Sequence, residues 1–290
     1  TTSIYAVGGI VGQNGPDGKV ENSANTAKIL ATKCGGGVVG RNFGVVNACA
    51  NSGAVSGGGA DGSHGQGKDS IGGIVGQAGD KKWTYTATVT NCYNTGAISN
   101  PAGRWFGGIA GFADTNSVIN NCYSIGAIDT GYSWNWNPII GNVDSADCPN
   151  ISNNYSLEGL NAGDTTENTM PITIGTIKTT DEFKAADMLT LLNADGKNFV
   201  ADSKNINDGY PVLSWQVPVS HSSGGSSGGS SMKKPEQDNN NDDNQNNNNE
   251  NTNNDFTDTK GHWAADAIYF VVKENLFTGT TATTFEPETA

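Results

Sequence analysis

The sequence predicts a mainly β protein, a right-handed parallel β-solenoid of about five coils with a small α/β C-terminal cap. Three observations predict it. A Gly-Gly-Ile-Val-Gly element stands at Gly8 to Gly12 and Gly72 to Gly76. It recurs as Gly-Gly-Val-Val-Gly at Gly36 to Gly40, as Gly-Gly-Ile-Ala-Gly at Gly107 to Gly111, and in decayed form at Asn137 to Gly141. A ten-residue element follows each copy. Finally, 40 of the 290 residues are Gly and only 35% are hydrophobic, so any core is thin and spread along the chain.

The ten-residue element runs Val20 to Ile29, Val46 to Val55, Val89 to Ile98, Ile119 to Ile128 and Ile151 to Leu160. Position one is always Val or Ile, position four is Ser, Cys or Asn, and position ten is Ile, Val or Leu. Gly53, Gly96 and Gly126 occupy position eight of the middle copies, and with the neighbouring Asn they are expected to take the positive φ of tight corners. A unit of about 30 residues is too small to bury its own apolar face, whereas stacked units place equivalent Val and Ile residues above one another as parallel strands. Strict alternation puts position one and the aromatic at position five (Tyr93, Tyr123, Tyr155) on one face and Cys on the other. Which face turns inward depends on whether position three bends the strand.

These units resemble the GLUG repeat of large bacterial surface proteins, over roughly residues 5 to 160. The resemblance implies a surface location and a spacer shared by proteins of different activity, among them adhesins and some immunoglobulin-cleaving metallopeptidases.

Residues 1–160 are thus read as the solenoid and 161–217 as its C-terminal cap. In the cap, Thr179 to Glu182 forms a capping box, and Phe183, Ala186, Leu189 and Leu192 follow at helical spacing, predicting one short helix. Asn207-Asp-Gly-Tyr-Pro-Val-Leu-Ser-Trp215 predicts a turn and a short apolar strand. The whole cap is expected to cover the last open strand edge. Residues 218–255, rich in Ser, Gly, Asn and Asp, read as a disordered linker. In the last segment, 256–290, Ala264, Ala267, Ile268, Val271 and Val272 share one helical face. Phe256-Thr-Asp258 through His262-Trp263, with Leu276-Phe-Thr-Gly279 and Phe285-Glu-Pro287, resembles the opening of an S-layer homology (SLH) module. That resemblance implies secondary cell-wall polysaccharide as partner, with Asp258 and Trp263 as contact residues, and an extracellular location on the cell wall or S-layer of a Gram-positive bacterium.

Charge and motif exclude several function classes. A net charge of −13 with 16 Lys plus Arg leaves no basic surface for nucleic acid. No apolar run is long enough to insert into a membrane, and no signal-peptide pattern opens the chain; because the repeat begins almost at residue 1, the sequence is read as starting inside a fold. Five Cys with no Cys-x-x-Cys pair, three of them at one repeat position, read as structural, and His64, His221 and His262 are too scattered for a metal site. Gly35 to Gly40 and Gly57 to Gly62 satisfy Gly-x-Gly-x-x-Gly, but no helical pattern follows either. Glu21, Asp61, Asp69, Asp114, Asp129 and Asp144 do not recur at one repeat position, and only Arg41 and Arg104 could stabilise an anionic transition state, so a carboxylate pair for glycan cleavage is not supported. No catalytic residue, metal or cofactor is therefore expected. Trp83, Trp105, Tyr132, Trp134 and Trp136 lie between repeat elements and are candidates for a ligand-stacking platform for host glycan or matrix protein, against packing on the solenoid's flank. The function expected is a non-catalytic stalk or adhesin segment held on the wall. The alternative is an accessory region of a secreted surface peptidase or glycan-degrading enzyme whose catalytic domain lies outside these residues.

Overall fold

The computed structural model describes residues 6–57, 70–80, 82, 85–99, 105–129, 136–144, 150–160 and 174–217, with isolated positions 258, 259, 268, 272, 284 and 285. The chain divides into two units, Thr1–Ser222 and Ser223–Ala290.

The first unit is a stack of parallel windings. The third shows the plan: strands Ser70–Gly72, Val75–Ala78, Thr88–Thr90, Tyr93–Asn94 and Ile98–Ser99, which belong to five different sheets, numbered 1 to 5 here. Each strand pairs in parallel with its equivalents in the windings before and after. Val11, Val39, Val75, Ala110 and Ile140 form one rung column, and Val20, Val46, Val89, Ile119 and Ile151 a second. Ile29, Val55, Ile98 and Ile128 form a third. Among the described residues the fifth winding contributes no strand to sheet 5; the Leu160 carbonyl there accepts from the Ile128 N–H at 2.8 Å. The parallel solenoid anticipated from the repeats is the observed fold.

Position three decides which face is inside. Asn22, Ala48, Asn91, Asn121 and Asn153 all have φ between +48° and +55°. One left-handed residue turns the chain between sheets 3 and 4 and breaks the two-residue alternation. Positions one and four therefore both point inward, and Val46, Cys49, Val89, Cys92, Ile119 and Cys122 are all fully buried in one core. Position five points outward. Asn tolerates this conformation better than other side chains with a Cβ, which accounts for four of the five residues found there.

The glycines at position eight have a different cause from the one expected. None of Gly53, Gly96 and Gly126 is among the residues with positive φ. A Cβ on Gly96 would lie 2.0 Å from the carbonyl oxygen of Gly53 in the winding before, so close approach between windings excludes a side chain. The approach is enforced by the residue two positions earlier: Asn51 Nδ2 donates to its own winding's Gly53 O (2.8 Å) and to Asn94 Oδ1 of the next winding (2.8 Å). The second Gly of each Gly-Gly pair serves the same column from across the interior, since a Cβ on Gly73 would lie 2.3 Å from Asn94 Cγ and 2.1 Å from Gly108 O.

After the fifth winding, Thr176–Lys178 pairs with Tyr155–Leu157 at the edge of sheet 4. The rest of the expected end cap lies elsewhere, along the side of the stack. Helices α1 (Thr180–Lys184) and α2 (Ala186–Leu192) replace the single helix expected. The Thr179 capping box is formed, with Glu182 N–H donating to Thr179 Oγ1 at 3.2 Å and Thr179 N–H to Glu182 Oε2 at 2.8 Å. Extended backbone at Ala185 separates the helices and turns Met188, rather than Ala186, into the core with Phe183 and Leu192. Phe199–Val200 and Val212–Leu213 form an antiparallel pair. In the loop between them the Asp202 carboxylate accepts from the N–H groups of Ile206 (2.7 Å), Asn207 (2.7 Å) and Gly209 (3.0 Å). Burial opposes its charge, but these backbone donors outweigh that and hold its carboxyl below the usual range.

This segment covers the outward tyrosines of position five. Tyr93 and Tyr123 stack with ring centroids 5.1 Å apart and planes 4° apart, and Phe183 and Phe199 tilt against Tyr123. Polar contacts fix the docking. Tyr93 Oη donates to Gln216 Oε1 (2.9 Å), Tyr123 Oη donates to the Pro211 carbonyl and accepts from Asn207 Nδ2 (2.8 Å), and Trp215 Nε1 donates to the Ala48 carbonyl (2.9 Å). Desolvation pushes the phenols of Tyr93 and Tyr123 up, so both stay neutral donors.

In the second unit, Ile268 is helical and buried and Val272, four residues on, is helical and half-buried, as the apolar spacing there predicts. Ala264, Ala267 and Val271 lie outside the described residues.

Candidate functional surfaces

The five loop aromatics do not form one described platform. Trp83, Tyr132 and Trp134 lie outside the described residues. Trp136 is in a strand, not a projecting loop: it is the inward rung above Phe106 and is buried in the core formed by Ile71, Phe106 and the position-ten aliphatics. The physical reason is alternation in sheet 1, where Val7, Gly35, Ile71, Phe106 and Trp136 form the inward column. Trp105, one residue before Phe106, takes the opposite side. It is half-buried and stacks on Phe112 of sheet 2, centroids 4.9 Å apart and planes 28° apart.

That stacking marks where the outward faces of sheets 1 and 2 meet. Cys34, Ser70 and Trp105 share one outward column of sheet 1. Gln13, Arg41, Gln77, Phe112 and Asn142 form the facing column of sheet 2, each residue immediately following the last Gly of its repeat element. Cys34 Sγ lies 3.6 Å from Gln77 Oε1, joining the columns. Arg41 is paired with Asp80 (Nη2 to Oδ2, 3.1 Å), and its guanidinium sits 5.0 Å from the Phe43 ring centroid. Gln77 and Phe112 are buried, with Gln77 Nε2 donating to the Gly79 carbonyl (2.8 Å), so the members of this column that reach the surface are Gln13, Arg41 and Asn142. Arg41, Gln77 and Phe112 were not singled out as site residues in the sequence. Their signal was the position after each repeat's last Gly, which alternation alone assigns to the outer face.

The thiols form a third arrangement. Cys49 N–H donates to Cys92 Sγ and Cys92 N–H to Cys122 Sγ, both at 3.4 Å, and Cys122 N–H to Asn154 Oδ1 at 3.1 Å. Each thiol in turn donates to a backbone carbonyl, Cys92 Sγ to Thr90 O at 3.0 Å. The hydrogen bond with Cys92, then burial, push the Cys49 thiol far up; burial and then Cys122 do the same for Cys92. Both are held protonated and are poor nucleophiles. We expect Cys49 and Cys92 to resist iodoacetamide in mildly alkaline buffer until the chain is unfolded by denaturant, as peptide mass mapping will show; prompt native labelling of either would mean that the column is open. Cys34, Cys49, Cys92 and Cys122 are all buried, and Cys148 lies outside the described residues. Among the described residues no group of three or more His, Cys, Asp or Glu could hold a metal ion. Gly35 to Gly40 joins a strand of sheet 1 to a strand of sheet 2, so it is a corner and not a phosphate loop.

In the second unit both carboxylate oxygens of Asp258 accept from the Phe285 N–H at 3.0 Å. The side chain thereby ties the start of that segment to its Phe285-Glu-Pro287 motif while remaining exposed. Trp263 lies outside the described residues.

Comparison with protein families matches residues 3–30 and 69–99, the first and third windings, to the GLUG motif, and residues 255–290 to the S-layer homology domain. The chain is a GLUG-repeat protein with a C-terminal SLH module. SLH domains typically bind cell-wall secondary polymers, and this one marks the GLUG-repeat protein as a surface protein anchored at the cell wall. No helix among the described residues is long and apolar enough to cross a membrane. Neither curated proteins nor solved structures yield a match.

Proposed function

We propose that the GLUG windings are a non-catalytic stalk, a stiff mount that carries an adhesive or catalytic region away from the wall while the SLH module takes the secondary cell-wall polysaccharide. The observation that carries this reading is the unbroken register of three aliphatic rung columns through the windings. Parallel strands spaced about 4.8 Å apart give five windings a length of roughly 20 Å, held by main-chain bonds and a close-packed interior that resist bending. A second reading, adhesin, is favoured by Trp105, half-buried on the outward side of sheet 1.

Co-sedimentation and glycan arrays separate the two. The intact chain is expected to pellet with cell-wall sacculi and to stay in solution once their non-peptidoglycan polymer has been stripped. Asp258→Ala should weaken pelleting, and Trp105→Ala should leave it unchanged. A glycan-array signal that disappears with Trp105→Ala would replace the stalk by the adhesin, and equal pelleting with stripped sacculi would remove the anchor.

A further inference from the structure

We infer that the docked segment 179–217 is a tension-released extender: load arriving from the wall-bound C-terminal side lifts it off the flank of the stack before any winding opens. The inference deepens the stalk reading and rests on the wall anchor lying C-terminal to the segment.

The segment retraces the stack. It begins where Thr176–Lys178 pairs with Tyr155–Leu157 of the fifth winding. Phe183 and Phe199 lie on Tyr123 of the fourth, Asn121 Nδ2 of the same winding donates to Asp195 Oδ2 (3.0 Å), and the Tyr123 hydroxyl meets Asn207 and Pro211. Gln216 then meets Tyr93 of the third winding, and Trp215 the Ala48 carbonyl of the second. The chain therefore leaves this contact at Val217, beside the second and third windings, roughly 15 Å back along the stack from where the segment began. Everything C-terminal to it, the SLH module at 255–290 included, pulls on that point.

Two kinds of attachment meet the load. Windings are joined to one another by parallel ladders in several sheets and by a core that runs unbroken through the stack. The two strands of the segment pair only with each other, in a sheet of their own, so among the described residues no ladder joins 180–217 to the windings. It is held by apolar packing on Tyr93, Tyr123 and Tyr155 and by the side-chain hydrogen bonds named above, for which water competes as soon as one side lifts. These contacts are also met in series. A pull at Val217 reaches Gln216 and Trp215 first, then Pro211 and Asn207, then Phe199, Asp195 and Phe183, so each gives way alone instead of sharing the load. Peeling stops at Lys178, where the ladder of sheet 4 begins. Roughly 40 residues at about 3.3–3.6 Å each then replace a span of about 15 Å, a gain on the order of 100 Å.

The test is a pulling experiment in optical tweezers on the full chain, with handles coupled to the N-terminus and to Ser222. The expected trace has a first opening, at the lower load, that releases about 100 Å, and the windings open only later. Moving the second handle to the exposed Ile177 should abolish the first event and keep the second, because the load then bypasses the segment. Trp215→Ala should speed the first opening by about tenfold or more at a given load and leave the second unchanged. Windings that open before the segment or together with it overturn the inference, and so does a first event that survives the move to Ile177 or ignores Trp215→Ala. Failure of the stalk reading looks different: the windings would then unravel one at a time at low load, whether or not the segment had already peeled. A segment that stays docked until firm windings finally yield removes the extender and keeps the stalk.

Discussion

Gly73→Ala is expected to destabilise the stack by about 3–5 kcal/mol, lowering its melting temperature by on the order of 10 °C. The added Cβ would lie 2.1 Å from the Gly108 carbonyl oxygen, 2.3 Å from Asn94 Cγ and 2.6 Å from Asn94 Nδ2. The first of these is backbone of the adjoining winding, and the others belong to a side chain fixed at 2.8–2.9 Å to Asn51 and Gly96. Neither can withdraw without breaking ladder bonds on both sides of the winding. Gly15→Ala is the matched control, because a Cβ there meets nothing within 4 Å. Denaturant unfolding of both variants checks the comparison. If Gly73→Ala melts with Gly15→Ala, the close approach does not constrain the fold.

Tyr123→Ala is expected to cost a similar 3–5 kcal/mol and to act mainly on the docked segment. Tyr123 is fully buried between Tyr93, Phe183 and Phe199, and its hydroxyl bridges Asn207 and the Pro211 carbonyl. Removal of the ring leaves a cavity on the stack's flank and removes both bonds of its hydroxyl, leaving the Asn207 amide and the Pro211 carbonyl only their mutual contact of 3.3 Å. Limited proteolysis should therefore open sites within 180–217 well before the windings themselves are cut. Tyr123→Phe, which keeps the ring, should cost only about 1–2 kcal/mol. Simultaneous loss of segment and windings in the Ala variant would show that the two do not separate.

Most of the fold was legible because a solenoid writes its register into the sequence: Val20, Val46, Val89, Ile119 and Ile151 recur at one position and stack as rungs. The direction of the faces was not legible. It turns on the single left-handed residue of each copy, and Ala48, which has no turn signature, occupies that place as readily as Asn91. Gly96 misled for a related reason: a composition typical of turns here reflects a neighbour's carbonyl at the distance of a covalent clash, which only stacking reveals. The docked position of 180–217 was hidden too. Helix and strand signals locate Phe183 and Leu213 in the chain, but they do not say that both turn toward Tyr123. Trp136 was misplaced because a tryptophan near Gly- and Asn-rich sequence reads as a loop, although alternation from Asn137 sets it inward. Asp258 was legible as a position, and its geometry adds a role within its own segment.

Asn25 Nδ2 donates to Asn51 Oδ1, Asn51 Nδ2 to Asn94 Oδ1 and Asn94 Nδ2 to Ser124 Oγ, and this one-way amide relay limits how such a protein can change its length in evolution. Each of the first three floors passes a hydrogen-bond donor to the next, so gene duplication of a whole Asn-bearing floor leaves these handovers intact. An insertion of half a floor would set donor against donor, or leave an oxygen stranded in a dry interior, on both sides of the breakpoint. Height is therefore expected to vary among descendants in integral steps, with length variation inside a floor confined to the segments that join one sheet to the next.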